Sequence, residues 1–241
     1  MASKRDELFS VNGNGLTPRP SASDISGNKV LRADGSWVAQ SGGGGGGGNG
    51  VDVYTGTLAP DNSSGSNGDL YVQIVEQMRY LRMKIYKNRD NTNLVQFSDI
   101  RLVSAVGVNY NFSGATASCN ASPASASEDV DKLLDNNIST KLCAIITPSD
   151  VAPLIINIDL GTTLNVADYP TFQYWTANDA DGRDPVSFDV ELSTDGVNYI
   201  TVLEARNLNV TSTRYALGYA ANFGSRMYYK TSGTWKHISL N

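Results

Sequence analysis

The stretch Arg183-Asp184-Pro185-Val186-Ser187-Phe188-Asp189-Val190-Glu191-Leu192-Ser193-Thr194-Asp195-Gly196-Val197-Asn198-Tyr199 decides the fold. Phe188, Val190 and Leu192 alternate with Ser187, Asp189, Glu191 and Ser193. This period of two marks a strand with one face in a core and one in water. Asp195-Gly196 then supplies the positive-φ positions of a tight hairpin. Tyr199 to Leu203 forms the return strand. Pro185 has no N–H to give to a ladder and fits the first position of the strand.

Working outward, other segments carry the same period. Leu81, Met83 and Ile85 alternate with Arg82, Lys84 and Tyr86, and Ile156, Ile158 and Leu160 line one side of a strand ending at Gly161. Val95 to Leu102 is a strand whose apolar period breaks between Phe97 and Ile100, which predicts a bulge. Phe172 to Trp175 is a further strand. Ser125 and Glu128 have capping-box spacing before Val130, Leu133 and Leu134, which predicts one short helical turn. Many short strands with a single helical turn make an all-β sandwich over residues 79–222.

The flanks read differently. Residues 1–28 carry too little periodic apolar surface to fold alone and read as an extended arm, with Val11, Leu16 and Ile25 as its anchors on a partner. Residues 29–50 hold a small hairpin signal around Asp34-Gly35, then seven consecutive glycines, Gly42 to Gly48. These form a flexible linker or a stretch that passes between packed subunits. Residues 51–78 contain two short strands, Val53 to Thr57 and Asp69 to Val72, around a loop of turn residues. Residues 223–241 hold an aromatic hairpin. Such small hairpins cannot bury enough area alone, so copies of themselves around an axis are the expected partners.

Composition narrows function. The chain has 241 residues, a net charge of −5 and a sequence pI near 4.8, which gives no reason to expect nucleic acid as a partner. The basic cluster Arg79, Arg82, Lys84, Lys87 and Arg89 reads as a solvated strand face or as salt bridges to a neighbouring subunit, ahead of a DNA-contacting role. No apolar run reaches the length of a membrane helix. The N-terminus lacks an apolar signal region, so assembly in a cytoplasm is expected. The even count of two cysteines, Cys119 and Cys143, invites a disulfide, while the lack of a secretion signal favours two reduced thiols. His237 is the one histidine. With no nucleophile or metal motif beside it, no enzyme and no cofactor are expected. Asn178-Asp179-Ala180-Asp181-Gly182 begins like a calcium loop, with Asp179 and Asp181 as oxygen donors, but lacks the closing bidentate Glu. A polar turn is the preferred reading.

Leu31-Arg32-Ala33-Asp34-Gly35-Ser36-Trp37-Val38, Tyr54 to Tyr71 and Tyr228 to Lys236 occur in an order that resembles bacteriophage fibre and appendage proteins. Residues 79–222 are similar to the discoidin (coagulation-factor C-type, galactose-binding-like) family. The similarity rests on Tyr80 to Ile85 with Val95 to Ile100, on Leu134-Asp135-Asn136-Asn137-Ile138-Ser139-Thr140, on Ile156 to Gly161, and on Arg183 to Tyr199. Asn136 stands where the family has Gly, Tyr199 where it has Trp, and Lys141-Leu142-Cys143 where a Trp is usual.

The resemblance implies a jelly-roll sandwich displayed on a head or tail fibre. It also implies a homotrimer, a virion structural protein as partner of the arm, and loops at one end of the sandwich that bind a surface glycan. Tyr110, Phe112, Trp175 and Arg183 are the loop residues able to stack on or hydrogen-bond a sugar. The plainer reading, which is preferred for both, is that Trp175 is core and that Arg183 pairs with Asp184 or Asp135. A purely structural decoration without a ligand, or a polysaccharide-degrading enzyme, are the other readings.

Overall fold

A computed structural model describes residues 29–31, 37–39, 51–56 and 60–238. The arm anchors Val11, Leu16 and Ile25 and the polyglycine run lie outside these residues. The chain divides into two compact units. One draws its described residues from Met1–Thr55, Pro60–Val72 and Met227–Asn241, the other from Gly56–Ala59 and Gln73–Arg226.

In the first unit, β1 (Lys29–Leu31) and β2 (Trp37–Ala39) form the expected antiparallel hairpin, with Leu31 opposite Trp37. β3 (Val53–Gly56) and β4 (Leu70–Gln73) belong to a four-stranded sheet completed by β16 (Arg226–Thr231) and β17 (Thr234–Ile238), in the order β17-β16-β4-β3. Segments from opposite ends of the sequence therefore supply each other's partner within one chain. The turn-rich loop at 61–69 is a socket for Trp235, which is 8% exposed. The indole Nε1 donates to the carbonyls of Asp61 (3.0 Å) and Ser64 (3.2 Å), 174 residues away in the first case. Lys230 Nζ donates to the carbonyls of Asn62, Ser64 and Gly65 and sits 5.6 Å from the Trp235 ring centre. Gly65, at φ +73°, lies so close that a Cβ would meet the indole at 2.7 Å. Tyr54 and Tyr71 pack edge-on against the same ring.

The second unit is an antiparallel β-sandwich. Its larger sheet has the order β14-β13-β5-β11-β8. The strands are β5 (Gln77–Asn88), β8 (Thr116–Cys119), β11 (Leu154–Asn165), β13 (Pro185–Ser193) and β14 (Ile200–Ala205). The facing sheet is β15-β12-β7, made of β7 (Asp99–Val103), β12 (Thr171–Trp175) and β15 (Leu217–Asn222). A third sheet, β6-β10-β9, joins β6 (Leu94–Phe97), β9 (Ser122–Pro123) and β10 (Leu142–Ile145).

The core is the set of inward residues the alternation identifies. Leu81, Met83, Ile85, Ile156, Phe188, Val190 and Leu192 are fully buried, and they meet Ile100, Leu102, Phe172 and Tyr174 from the facing sheet. Phe188 lies 5.7 Å from the Tyr174 ring and 5.2 Å from Tyr219. Burial of each such side chain contributes roughly 1.5–3 kcal/mol.

Four local expectations change. β13 is buried along its whole length, polar side included, because it is a central strand covered by charged neighbours. The break after Phe97 is a change of sheet: β6 pairs with β10, β7 pairs with β12, and Ser98 Oγ donates to the carbonyls of Trp175 and Thr176. The helical turn is a 3-10 turn, Val130–Leu133, capped by Asp129 and not by Ser125. β11 continues past Gly161 to Asn165, with an irregular register after Asp159. Asn136 holds φ +56°, a left-handed position that Asn tolerates better than most residues.

Candidate functional site

Strand register sorts the loops into two ends. β13 runs antiparallel to β5, with Pro185 opposite Asn88 and Ser193 opposite Tyr80. β11 places Leu154 opposite Ile85 and Asn165 opposite Gln77. Asn88, Leu154 and Pro185 therefore mark a far end, and Gln77, Asn165 and Ser193 a near end. Trp175 leads through residues 176–184 to Pro185 and is at the far end, with Arg183. Tyr110 follows β7, bridges back beside Val103, and packs 5.2 Å from Tyr169; it is at the near end, with Phe112.

The four residues expected to form one loop site are thus split between opposite ends. Phe112 is 4% exposed and belongs to the core. Tyr110 is half-buried against it, and its hydroxyl donates to Leu160 O at 3.3 Å. A single sugar cannot touch all four, and two are committed to packing.

The far end is charged but internally paired. Asp184 is fully buried and takes a two-point contact from Arg214, Nη1–Oδ1 2.9 Å and Nη2–Oδ2 2.6 Å, with Arg89 at 3.6 Å. Arg183 donates to Gln96 Oε1 at 3.4 Å, and not to Asp184 or Asp135. Lys141 Nζ contacts Asp179 Oδ1 (2.8 Å), Gln96 Oε1 (3.1 Å) and Glu128 Oε1 (3.3 Å). That ammonium ion stands at Asp179, one of the two oxygen donors of the incomplete calcium-loop pattern, and it helps hold the Asp179 carboxyl below its usual range against the opposing effect of burial. Among the described residues no three His, Cys, Asp or Glu side chains group to hold a metal ion. Cys119 and Cys143 are free thiols.

Trp175 is half-buried on the outer side of β12, with the Arg101 guanidinium 4.5 Å from its ring centre. Arg101 also donates to Asp99 Oδ2 at 2.7 Å. Asp99 lies directly across the strand pair from Trp175. Asp99 Oδ1 and Trp175 Nε1 are the two buried side-chain atoms without a hydrogen-bond partner among the described residues. Burial pushes the Asp99 carboxyl up to about 6, against the opposing effect of Arg101.

The open polar surface lies elsewhere, on the solvent side of the five-stranded sheet. A cavity of about 390 Å³ there is lined by Tyr80 and Arg82 of β5, Thr116 and Ser118 of β8, Asn157 and Asp159 of β11, and Gly196 and Tyr199 of the hairpin. The strands dictate this grouping, since residues two apart on neighbouring antiparallel strands share a face. Its frame is fixed by ion pairs. Glu191 accepts from Arg82 Nε (2.5 Å) and Lys84 Nζ (2.9 Å), and Arg79 grips Asp159 at 3.0 and 3.1 Å. The Arg82 guanidinium lies 3.7 Å from the Tyr199 ring centre, which orients that ring. Gly196, at φ +74°, lets the hairpin approach Tyr80, where a Cβ would stand 3.3 Å from the ring.

Inside this frame the Tyr80 and Tyr199 hydroxyls, the Thr116 and Ser118 hydroxyls and the Asn157 amide make no hydrogen bond to the chain among the described residues. Aromatic faces beside uncommitted hydroxyl and amide groups suit a polyhydroxylated ring. Arg79, Arg82 and Lys84, expected to face solvent or a neighbouring subunit, instead pair within the chain and supply its frame. Sequence reading missed Tyr80, Asn157 and Tyr199. The available signal was an aromatic on the polar phase of an amphipathic strand, at Tyr80 and again at Tyr86.

Comparison with protein-family models, with curated proteins and with solved structures returns no match. Among the described residues no helix is long and apolar enough to cross a membrane.

Proposed function

We propose that this chain is a bacteriophage virion appendage, a head or tail fibre, whose sandwich binds surface saccharides of the host or of mucus through the groove of the five-stranded sheet. The observation that carries the binding role is that groove, in which two tyrosine rings stand beside hydroxyl and amide groups without partners. The tyrosines pack the C–H face of a sugar, and Asn157, Ser118 and Thr116 exchange hydrogen bonds with its hydroxyls. Asp159 is held below the ordinary carboxylate range by Arg79 and Glu191 is bound by Arg82 and Lys84, an arrangement suited to recognition rather than proton transfer.

The appendage role draws on the order of the flanking motifs and on the union of the Tyr54–Tyr71 and Tyr228–Lys236 segments around Trp235. A five-stranded sheet packed on a three-stranded one supports a discoidin-like jelly roll. The arm at 1–28 would dock on a virion structural protein, and three copies would assemble around an axis, so that weak sites gain avidity.

A second reading, a decoration without a ligand, is favoured by the far end, where Arg214, Arg183 and Lys141 are all bonded internally. The test is binding of the full chain to a glycan array and to host cells, beside Tyr199→Ala and Tyr80→Ala variants with unchanged melting profiles. Binding lost in both variants supports the adhesin; a folded chain that binds no saccharide leaves the decoration.

A further inference from the structure

A second cavity, of about 260 Å³, is lined by the segment Ile74 to Gln77 and by the other side of the same hairpin. The two cavities share that hairpin residue by residue. Asp195 and Asn198 face the smaller one, and their chain neighbours Gly196 and Tyr199 face the larger. The ridge between them is rigid. Asp195 Oδ1 accepts from the backbone N–H of Val197 (2.9 Å) and of Asn198 (2.8 Å), and Oδ2 accepts from the Asn198 amide at 2.7 Å. Ser193 Oγ closes the turn by accepting from the N–H of Gly196 at 3.0 Å.

The smaller cavity also has uncommitted polar groups. The side chains of Glu76, Gln77 and Thr194 are exposed and make no hydrogen bond to the chain among the described residues. Its charge is one-sided: Glu76 and Asp195 line it, and no basic residue does. The larger cavity is close to balanced, with Arg82 and Asp159 in its lining.

We propose that the two cavities form one binding track, and that the ligand is an uncharged oligosaccharide of two or more units that lies across the Thr194–Tyr199 hairpin. This rests on the saccharide reading of the larger cavity and adds to it a minimum length and a charge preference. One unit stacks on Tyr199 and Tyr80. The next crosses the ridge at Gly196 and exchanges hydrogen bonds with Gln77 and Thr194. A uronic or sialic carboxylate at that second position would face Glu76 and Asp195 without a compensating cation, and is rejected.

The test is calorimetric titration of the full chain with cello-, chito- and galacto-oligosaccharides of one to five units, and with oligogalacturonates of the same lengths. The expected result is a Kd for one neutral series that falls at least tenfold between one and three units and then levels. Gln77→Ala and Thr194→Ala abolish that gain and leave single-unit affinity unchanged, whereas Tyr199→Ala weakens every length. Glu76→Gln raises affinity for the oligogalacturonates. Binding that is sensitive to Tyr199→Ala but independent of length overturns the track and leaves the groove standing. Equal binding of neutral and acidic chains overturns the charge preference. A folded chain that binds no member of the panel overturns both the track and the saccharide reading.

Discussion

The far loop end and the solvent side of the five-stranded sheet are equally rich in polar residues, yet they are built on opposite terms. At the far end the charges have found each other: Asp184 is enclosed by Arg214 and Arg89, and Lys141 is surrounded by Asp179, Gln96 and Glu128. On the sheet, the charges of Arg82, Lys84, Glu191, Arg79 and Asp159 are paired at the edges of a space whose neutral polar groups are not. A charge with a buried partner is architecture, because breaking it leaves an uncompensated ion. A hydroxyl or amide facing solvent beside an aromatic ring is free to exchange water for a ligand at little cost.

The largest effect expected from this contrast is at the far end. Asp184→Ala removes the one carboxylate shared by Arg214 and Arg89 and leaves two cations over a buried hollow. Loss of a partner from a buried pair costs about 3–5 kcal/mol. Urea unfolding of this variant should show that loss, with saccharide affinity of the remaining folded protein unchanged. A variant as stable as the parent would mean that the far end is as free to bind as the sheet.

Asp99 sharpens the comparison through pH. Its carboxyl is raised from 3.8 to about 6 by burial. Between these values the native state keeps a proton that the unfolded chain has released, so stability falls as pH rises. The contribution of protonated Asp99 is full below about pH 4 and is lost as pH passes through about 6; a shift of that size corresponds to about 3 kcal/mol. Asp159 runs the other way, since its carboxyl is lowered by Arg79 and its stabilisation is lost as pH falls below the ordinary carboxylate range. Asp99→Asn removes only the first effect. The stability of that variant relative to the parent should rise between pH 4 and pH 6.5, as read from urea midpoints. A pH-independent difference would place Asp99 among ordinary surface acids.

How far the sequence speaks depends on which side of each strand is asked. The inward phase was legible: Leu81, Met83, Ile85, Phe188, Val190 and Leu192 are all fully buried, because water excludes apolar residues whatever the neighbours are. The outward phase was not, because its meaning lies in register. Arg82 reads as a solvated cation until β13 sets Glu191 opposite it and the hairpin brings Tyr199 over it. Tyr110 and Arg183 both look like loop residues of one end, and only the direction of β7 and β12 shows that they stand at opposite ends. The segments around Asp61 and Trp235 each look too small to fold, because a pairing across 174 residues leaves no local trace.

Gly196→Ala probes the hairpin that carries the groove. An L-residue at φ +74° is disfavoured by about 1–2 kcal/mol, and the new Cβ would press on the Tyr80 ring. A destabilisation of that order, with weakened saccharide binding, is expected from thermal melts and titration. Intact binding would mean that the position of Tyr80 does not matter to the ligand.

Tyr199→Ala is expected to move stability least and function most. Tyr199 is half-buried, makes no hydrogen bond through its hydroxyl among the described residues, and contributes chiefly its ring face to Arg82. Loss of that contact costs roughly 0.5–1 kcal/mol, while Arg82 keeps its bonds to Glu191. If the ring also receives a sugar face, affinity should fall tenfold or more in a protein that melts almost normally. The reverse pattern, a large loss of stability with binding intact, would class Tyr199 with Asp184 as architecture. Asn157→Ala then decides the matter from the other side of the groove, since its amide has no structural partner to lose and any effect it has must come from the ligand.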